Sequence, residues 1–537
     1  MSLLDTRTSK LCFFVCFSLL CGIFFVQAEA QSSESKEPVP RQTIFLSDLH
    51  LGEGTKSKSD DWLASEDARW GDDLKLFLET IESEDNTPTD LVLNGDVFEL
   101  WQSATPGCSP SDPTLGCREE EVIARLRRIV ESHPIEIKAI RTFAETDHAR
   151  VFIVPGDHDA ALLLPNVAKA ALSLIGAPDD KIQIMPSGTW QSDDGLLYSE
   201  HGHQINNGTS SFEHWPTPFI KRDGGTHLLR NWEERFIQKI YNDYEERYPI
   251  IDNVSQLGLG IKYLLAADPS IEIEVSAGQL LRYFLFKMPW TQYRSNLEEE
   301  VQPPQWDIEK IRLTENSSFL VESLPADDPF RNYAATALEK NHLAFSLSDL
   351  SDEELVAICD HRAILRRARR RLEQTITQLV KTPGPAPREC PRQENSFGGV
   401  YSEFFRSRNN IFSRYLGEVQ QRGDLNDTNF STFKAFIYSH THLPDRGFYP
   451  TQNTDLRVIN TGAWQRTIYP RKLEQLRNSR KIPTNSVLSE IRPKDLPSCY
   501  AFVQIAPYTT TPKPVVQYWR LGGTNEWGIA GSCQVGY

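Results

Sequence analysis

Five short apolar runs in this chain end alike, at an acid or a histidine: "TIFLSDLH" from residue 43, "DLVLNGD" from 90, "VFIVPGDHD" from 151, "LLYSEHGH" from 196 and "FKAFIYSHTH" from 433. An apolar run of about five residues closed by polar or glycine punctuation is the pattern of a buried strand. Each such strand carries its acids and imidazoles on the loop that leaves it. Between the first three runs lie the helical patterns "WGDDLKLFLETIES" and "EEEVIARLRRIVESH". Strand, helix and strand alternate, which predicts an α/β layered domain. In such sheets the ligand crevice opens beyond the carboxyl ends of the strands, where these clusters fall.

The clusters comprise Asp48 and His50, Asp96, Asp157 with His158, His201 with His203, and His440 with His442. The chain has 12 histidines, and six of them stand in these clusters, which core packing does not explain. The set points to metal binding. Mixed carboxylate and imidazole donors suit manganese, iron or zinc, whereas magnesium and calcium prefer shells of oxygen. Asp48, His50, Asp96, Asp157, His201, His440 and His442 are too many ligands for one ion. Two divalent ions about 3.5–4 Å apart, sharing Asp96, would use them all. Residues two apart, such as His440 and His442, project the same way from an extended segment and can address neighbouring ions. Gly95 and Gly156 allow the tight turns that bring ligands to a metal.

In this order, "DLH", "NGDVFE", "GDHD", "HGH" and "HTH" resemble the five motifs of the calcineurin-like metallophosphoesterase superfamily, over residues 42–205 and 433–470. "NGDVFELW" and "HGH" are similar, more loosely, to the branch of UDP-2,3-diacylglucosamine hydrolases. The resemblance implies a four-layer αββα sandwich and a two-metal phosphoester hydrolase site. Asp48, His50 and His442 would hold the first ion and Asp157, His201 and His440 the second, with Asp96 as the bridge. His158 would lie outside this shell, stabilising the transition state or protonating the leaving oxygen, or else orienting Asp157 or Asp48. His203 would face substrate or make a structural hydrogen bond. The family pattern has asparagine where this chain has Asp157. The added carboxylate should hold the second ion more tightly and make the site less attractive to a phosphate anion. The implied reaction is hydrolysis of a phosphomonoester, phosphodiester or pyrophosphate bond by in-line attack of a metal-bridging hydroxide. The competing readings are a nuclease of the same superfamily and a non-catalytic metal-binding interaction module.

The rest of the 537 residues divides into a leader (1–30), a linker (31–41), the first part of the core (42–205), a mainly helical cap insertion (206–432) and the second part of the core (433–537). Arg7 and Lys10 precede the apolar stretch 11–26, and Ala28 and Ala30 follow at cleavage-site spacing. This is the pattern of a secretory signal peptide, which predicts a secreted or periplasmic protein; an uncleaved membrane tether is the alternative. Beyond the leader stand Cys108, Cys117, Cys359, Cys390, Cys499 and Cys533. Three disulfides are open to them, with neighbours in sequence the nearest pairs and the connectivity undetermined. A net charge of -16 argues against a nucleic-acid partner bound through its phosphates. A phosphorylated small-molecule or lipid-linked substrate is expected, and the oligomeric state is open. Within the cap, Arg362 and Arg366 share a helical face with Arg369 and Arg370 and would either bind an anionic head group or be solvated. "LLRYFLFKMPW", residues 280–290, suits the core of the cap first, with an acyl chain or membrane-surface contact as the alternative.

Overall fold

The computed structural model describes residues 40–271 and 433–533, interrupted at 56–61, 84–86, 102–113, 206–209, 239–241, 450–454 and four single positions, together with 328, 330–339 and Tyr415. The leader, nearly all of the linker and most of the insertion lie outside the described residues, and with them Arg362, Arg366, the stretch 280–290, Cys108, Cys359 and Cys390. Among the described residues no helix is long and apolar enough to cross a membrane.

The protein is α/β. The first and third sequence runs bracket the second: β1 (Gln42–Leu46), β2 (Thr89–Asn94) and β4 (Ala149–Val154) pair in parallel, with Phe45 beside Val92 and Val92 beside Phe152. β5 (Ile182–Ile184) adds to the far side of β4 in parallel. On the other side of β1 lie β12 (Cys499–Ile505), β13 (Val515–Leu521) and β14 (Trp527–Ala530), all antiparallel. The sheet order is β14, β13, β12, β1, β2, β4, β5. A second sheet runs in the order β11 (Arg457–Asn460), β10 (Ala435–Tyr438), β7 (Leu197–Glu200) and β6 (Thr189–Gln191).

The central strands read as unbroken apolar runs because both of their faces are covered. On one face Ile44, Leu46, Leu91, Leu93, Val151 and Ile153 pack with α1 (Gly71–Ser83), α2 (Glu119–Ser132), α3 (Pro134–Glu145) and α4 (Pro165–Ile175). On the other, Phe45, Val92, Phe152 and Val503 meet Leu197, Ala435, Ile437 and Ile459 of the second sheet, with Trp190 between them. α1 shows how the helices are written: Leu74, Phe77, Leu78 and Ile81 recur on one face and are buried, and Asp72 and Asp73 sit in the first turn where the helix dipole favours acids. Phe77, wholly buried against Trp464, Phe502 and Trp519, marks the centre of this core. Its truncation to alanine should cost about 3–5 kcal/mol.

The insertion opens differently from the helical stretch expected of it. β8 (Phe219–Arg222) and β9 (Gly225–Leu229) form a hairpin that β3 (Leu115–Arg118) extends to a three-stranded sheet. Its two-residue turn, Asp223-Gly224, has φ of 51° and 80°, the sequence and geometry of the tight turn whose twist matches a hairpin. Leu228 and Leu229, in an insertion expected to be mainly helical, therefore close a strand. Helix begins only at α5 (Trp232–Phe236), where Asn231 Oδ1 caps it by accepting the Glu234 N–H at 2.8 Å. In the tail a helix, Pro470–Arg480, joins the expected strands. Cys499 and Cys533 are disulfide-bonded to each other, and Cys117 is also in a disulfide.

Candidate metal centre

Every candidate ligand leaves the carboxyl end of a strand. Asp48 and His50 follow β1, Asp96 follows β2, Asp157 follows β4, His201 follows β7, and His440 and His442 follow β10. The first two loops are laced together, since the Asp48 N–H donates to Gly95 O at 3.0 Å and the His50 N–H to Asp96 O at 2.9 Å. Likewise the Ser439 N–H donates to His201 O at 2.7 Å. The turns demanded are extreme: Asp48, His50, Asp96, His440 and His442 all have left-handed φ, between 48° and 66°. That conformation is uncommon outside glycine and collects at functional sites. Two glycines serve close approach. A Cβ on Gly156 would overlap Asp96 Oδ1, and one on Gly95 would overlap the His201 ring.

The loops bring the seven predicted ligands into two adjoining groups. Asp96, Asp157, His201 and His440 form one, and Asp48, His50 and His442 the other. In the first, His201 Nε2 lies 2.8 Å from Asp96 Oδ2 and 3.0 Å from Asp157 Oδ1, and His440 Nδ1 lies 3.2 Å from Asp157 Oδ1. In the second, His442 Nε2 lies 3.2 Å from Asp48 Oδ1. The groups touch at Asp96, whose Oδ2 is also 3.8 Å from His50 Nε2, and His201 Nε2 is 3.9 Å from Asp48 Oδ1. Asp48, Asp96, Asp157 and His201 are at most 1% exposed. Beyond these contacts with one another, both oxygens of Asp48 and of Asp157, His50 Nε2 and His201 Nε2 have no hydrogen-bond partner. Carboxylates buried without partners are strongly unfavourable unless a cation meets them. These buried groups can therefore hold a metal ion, and the mixed donor set fits one.

Three imidazoles are fixed through the nitrogen that faces away. His50 Nδ1 is 2.9 Å from Glu99 Oε2, and His201 Nδ1 is 3.0 Å from both Asn94 O and Ser439 Oγ. His440 Nε2 is 2.9 Å from Ser210 Oγ. Such partners set the tautomer and turn the remaining lone pair toward an ion. Glu99 reaches further, because His158 Nδ1 lies 2.6 Å from the same Oε2. His158 also stacks on Trp101 with ring centroids 3.8 Å apart, and its backbone N–H donates to Asp96 Oδ1 at 3.0 Å. It stands outside both ligand groups, next to them, and forms a third set of possible donors with His50 and Glu99. His203 lies beside the first group, its Nδ1 4.0 Å from Asp157 Oδ1, with its ring edge against Trp215.

Glu99 and Asp159 were not singled out from the sequence, although "NGDVFE" and "GDHD" contain them. Asp159 is fully buried and accepts the N–H groups of Val97 at 2.8 Å and Gly156 at 2.6 Å, tying the β2 and β4 loops together. Their position inside the motifs was the available signal.

The field at the centre keeps the ligand carboxylates ionised. Burial pushes Asp157 up, but His440 and His201 outweigh it and hold the carboxyl well below its usual range. Burial is likewise outweighed at Asp48, brought to about 2 by His442, His201 and His50. Burial alone disfavours a charged His158, yet Glu99 and Asp96 hold it well above the ordinary imidazole value. Burial pushes His203 down to about 3, so that ring is neutral. Burial and the neighbouring Asp96 push Asp159 up to about 7.

Set against known proteins, the chain matches no family model and no curated protein.

Proposed function

We propose that the chain is a secreted or periplasmic dinuclear metallophosphoesterase. The observation that carries this reading is the pair of ligand groups meeting at Asp96, with His201 and His50 on its two sides. Asp48, His50 and His442 would hold the first ion and Asp157, His201 and His440 the second, with Asp96 shared between them. Manganese, iron or zinc suits these donors. A core of helices on one sheet packed on a second supports an αββα sandwich, and the insertion at 206–432 would act as the cap that selects a phosphorylated small-molecule or lipid-linked substrate.

When bound, the two ions supply Lewis acidity at the phosphoryl oxygens and lower the pKa of water towards about 7. The chain's own part is orientation and proton transfer. Glu99 Oε2 accepts hydrogen bonds from the Nδ1–H groups of His50 and His158, so His50 presents Nε2 inward and His158 keeps its Nε2–H for proton donation. Trp101 holds the His158 ring in place by stacking. A proton given at Nε2 to the leaving oxygen contributes about 10²–10⁴ in rate.

The test is hydrolysis of a nitrophenyl phosphate monoester beside the bis-nitrophenyl diester, with manganese, iron or zinc supplied and Asp96→Asn as control. Metal-dependent turnover that the control loses supports the enzyme, and the preferred ester names its branch. A folded protein that binds ions and turns over neither ester, with any metal, would remove the catalytic reading for simple esters.

A further inference from the structure

We propose that Ser210, and through it the hairpin that opens the insertion, positions His440 for the second metal ion. The inference rests on the two-metal reading above and adds to it a residue from outside the strand-end motifs.

His440 offers two nitrogens with different surroundings. Nδ1 lies 3.2 Å from Asp157 Oδ1, on the side of the ligand group, and Nε2 lies 2.9 Å from Ser210 Oγ. A serine hydroxyl has one proton to give. Ser210 Oγ is also 3.5 Å from His203 O, a carbonyl that can only accept. With the hydroxyl proton on that carbonyl, Oγ accepts from His440 Nε2–H. The ring is then the tautomer whose bare Nδ1 faces Asp157. The reverse assignment would put the proton on Nδ1 and block ligation there.

Ser210 is itself held. It is 4% exposed, and its carbonyl accepts from Asn231 Nδ2 at 2.6 Å. Asn231 is 6% exposed, and its Oδ1 caps α5. Ser210 and Asn231 flank the β8–β9 hairpin, so the clamp closes the base of that unit, and β9 is fastened to β3. His50 and His201 take their orienting partners from the loops of the strand-end motifs, Glu99, Asn94 and Ser439. His440 takes its partner from the insertion. Displacement of the hairpin, by substrate or by mutation, would therefore be felt first at the second ion.

Equilibrium dialysis of the full chain against zinc, with metal content measured at each free concentration, tests this alongside Ser210→Ala and Ser210→Thr. Loss of an outer partner of a ligating histidine weakens metal binding about 10–100-fold. The expected result is that Ser210→Ala weakens one of two bound ions by that factor, leaves the other unchanged, and is rescued by Ser210→Thr, which keeps the hydroxyl. Two ions bound by Ser210→Ala as in the native chain would overturn the proposal. Because an alanine variant can fail to fold, the ring is also read directly, from histidine ¹⁵N shifts of the native zinc-loaded protein, since without metal the Asp157 carboxylate draws a proton to Nδ1. A proton on His440 Nε2 with zinc on Nδ1 supports the assignment, and zinc on Nε2 refutes it. A native chain that binds fewer than two ions would count against the two-metal reading instead, and the tautomer would still decide the role of Ser210.

Discussion

Replacing Glu99 by glutamine changes almost no volume and should disable the centre at two points. One carboxylate oxygen, Oε2, serves both His50 Nδ1 at 2.9 Å and His158 Nδ1 at 2.6 Å, while Oε1 accepts the backbone N–H of Trp101 at 2.8 Å. The amide has a single oxygen. If it stays with Trp101, the NH₂ faces two N–H donors, and His50 must change tautomer, which protonates the Nε2 meant for the first ion. If it turns over, the buried Trp101 N–H loses its partner. Loss of such an orienting group weakens metal binding or turnover about 10–100-fold, equivalent to about 1.4–2.7 kcal/mol. The second effect is electrostatic. Against the burial that disfavours its charge, His158 is held well above the ordinary imidazole value chiefly by Glu99. Removing an opposite charge at this range lowers a pKa by about 1–3 units. His158 donates a proton, so activity falls as pH rises through its pKa, and the alkaline limb in Glu99→Gln should move to lower pH. The assay is kcat against pH on a nitrophenyl ester, with metal affinity measured in parallel. An unmoved alkaline limb together with metal affinity within about twofold of native would refute this account of Glu99.

Three further outcomes are expected. Asp157→Asn removes a carboxylate that the neighbouring histidines hold ionised, so the second ion should bind more weakly while KM for an anionic ester falls, more for the doubly charged monoester than for the diester; dialysis and KM measurements on the two esters check both. Gly156→Ala should abolish metal-dependent turnover in a protein that still folds, because the added methyl displaces Asp96; metal content and circular dichroism read the two parts. His133, buried between Glu66 at 3.2 Å and Glu136 at 3.3 Å, is disfavoured by burial yet raised by these partners from 6.5 to about 10. A group whose folded pKa lies above its unfolded one stabilises fully below the unfolded value and loses that contribution as pH rises through the folded one. Stability should therefore decline between pH 6.5 and about 10, by up to about 1.4 kcal/mol per pH unit from this group, with Tm falling alongside, and Glu136→Gln should flatten the decline.

The strand ends were legible because burial on both faces forces an unbroken apolar run, and glycine with acid or imidazole then marks where the chain turns back. That punctuation carried Asp48, Asp96, Asp157, His201, His440 and His442 into view together. What was not legible depends on contacts distant along the chain. Ser439 meets Asn94 and His201, and Glu99 joins His50 to His158; no local pattern reports such partners. The three-stranded sheet of β3, β9 and β8 escaped because its strands span only four or five residues without clear alternation. Helix Pro470–Arg480 buries a single residue, Leu473, and so lacks the apolar stripe that announces a helix.

The five left-handed ligands have a consequence for the evolution and engineering of this protein. A side chain held in that conformation costs about 1–2 kcal/mol, less for Asp and Asn, and a domain's whole stability is about 5–15 kcal/mol. The centre is thus maintained at a backbone cost to the folding equilibrium. Asp48→Gly relieves one φ of 52° but also deletes the carboxylate that His442, His201 and His50 hold ionised, so the two effects oppose and the Tm of the metal-free chain should change little while metal binding is lost. Selection for thermostability alone would therefore do nothing to keep the centre in place. Only selection applied with metal and substrate present would keep both fold and centre.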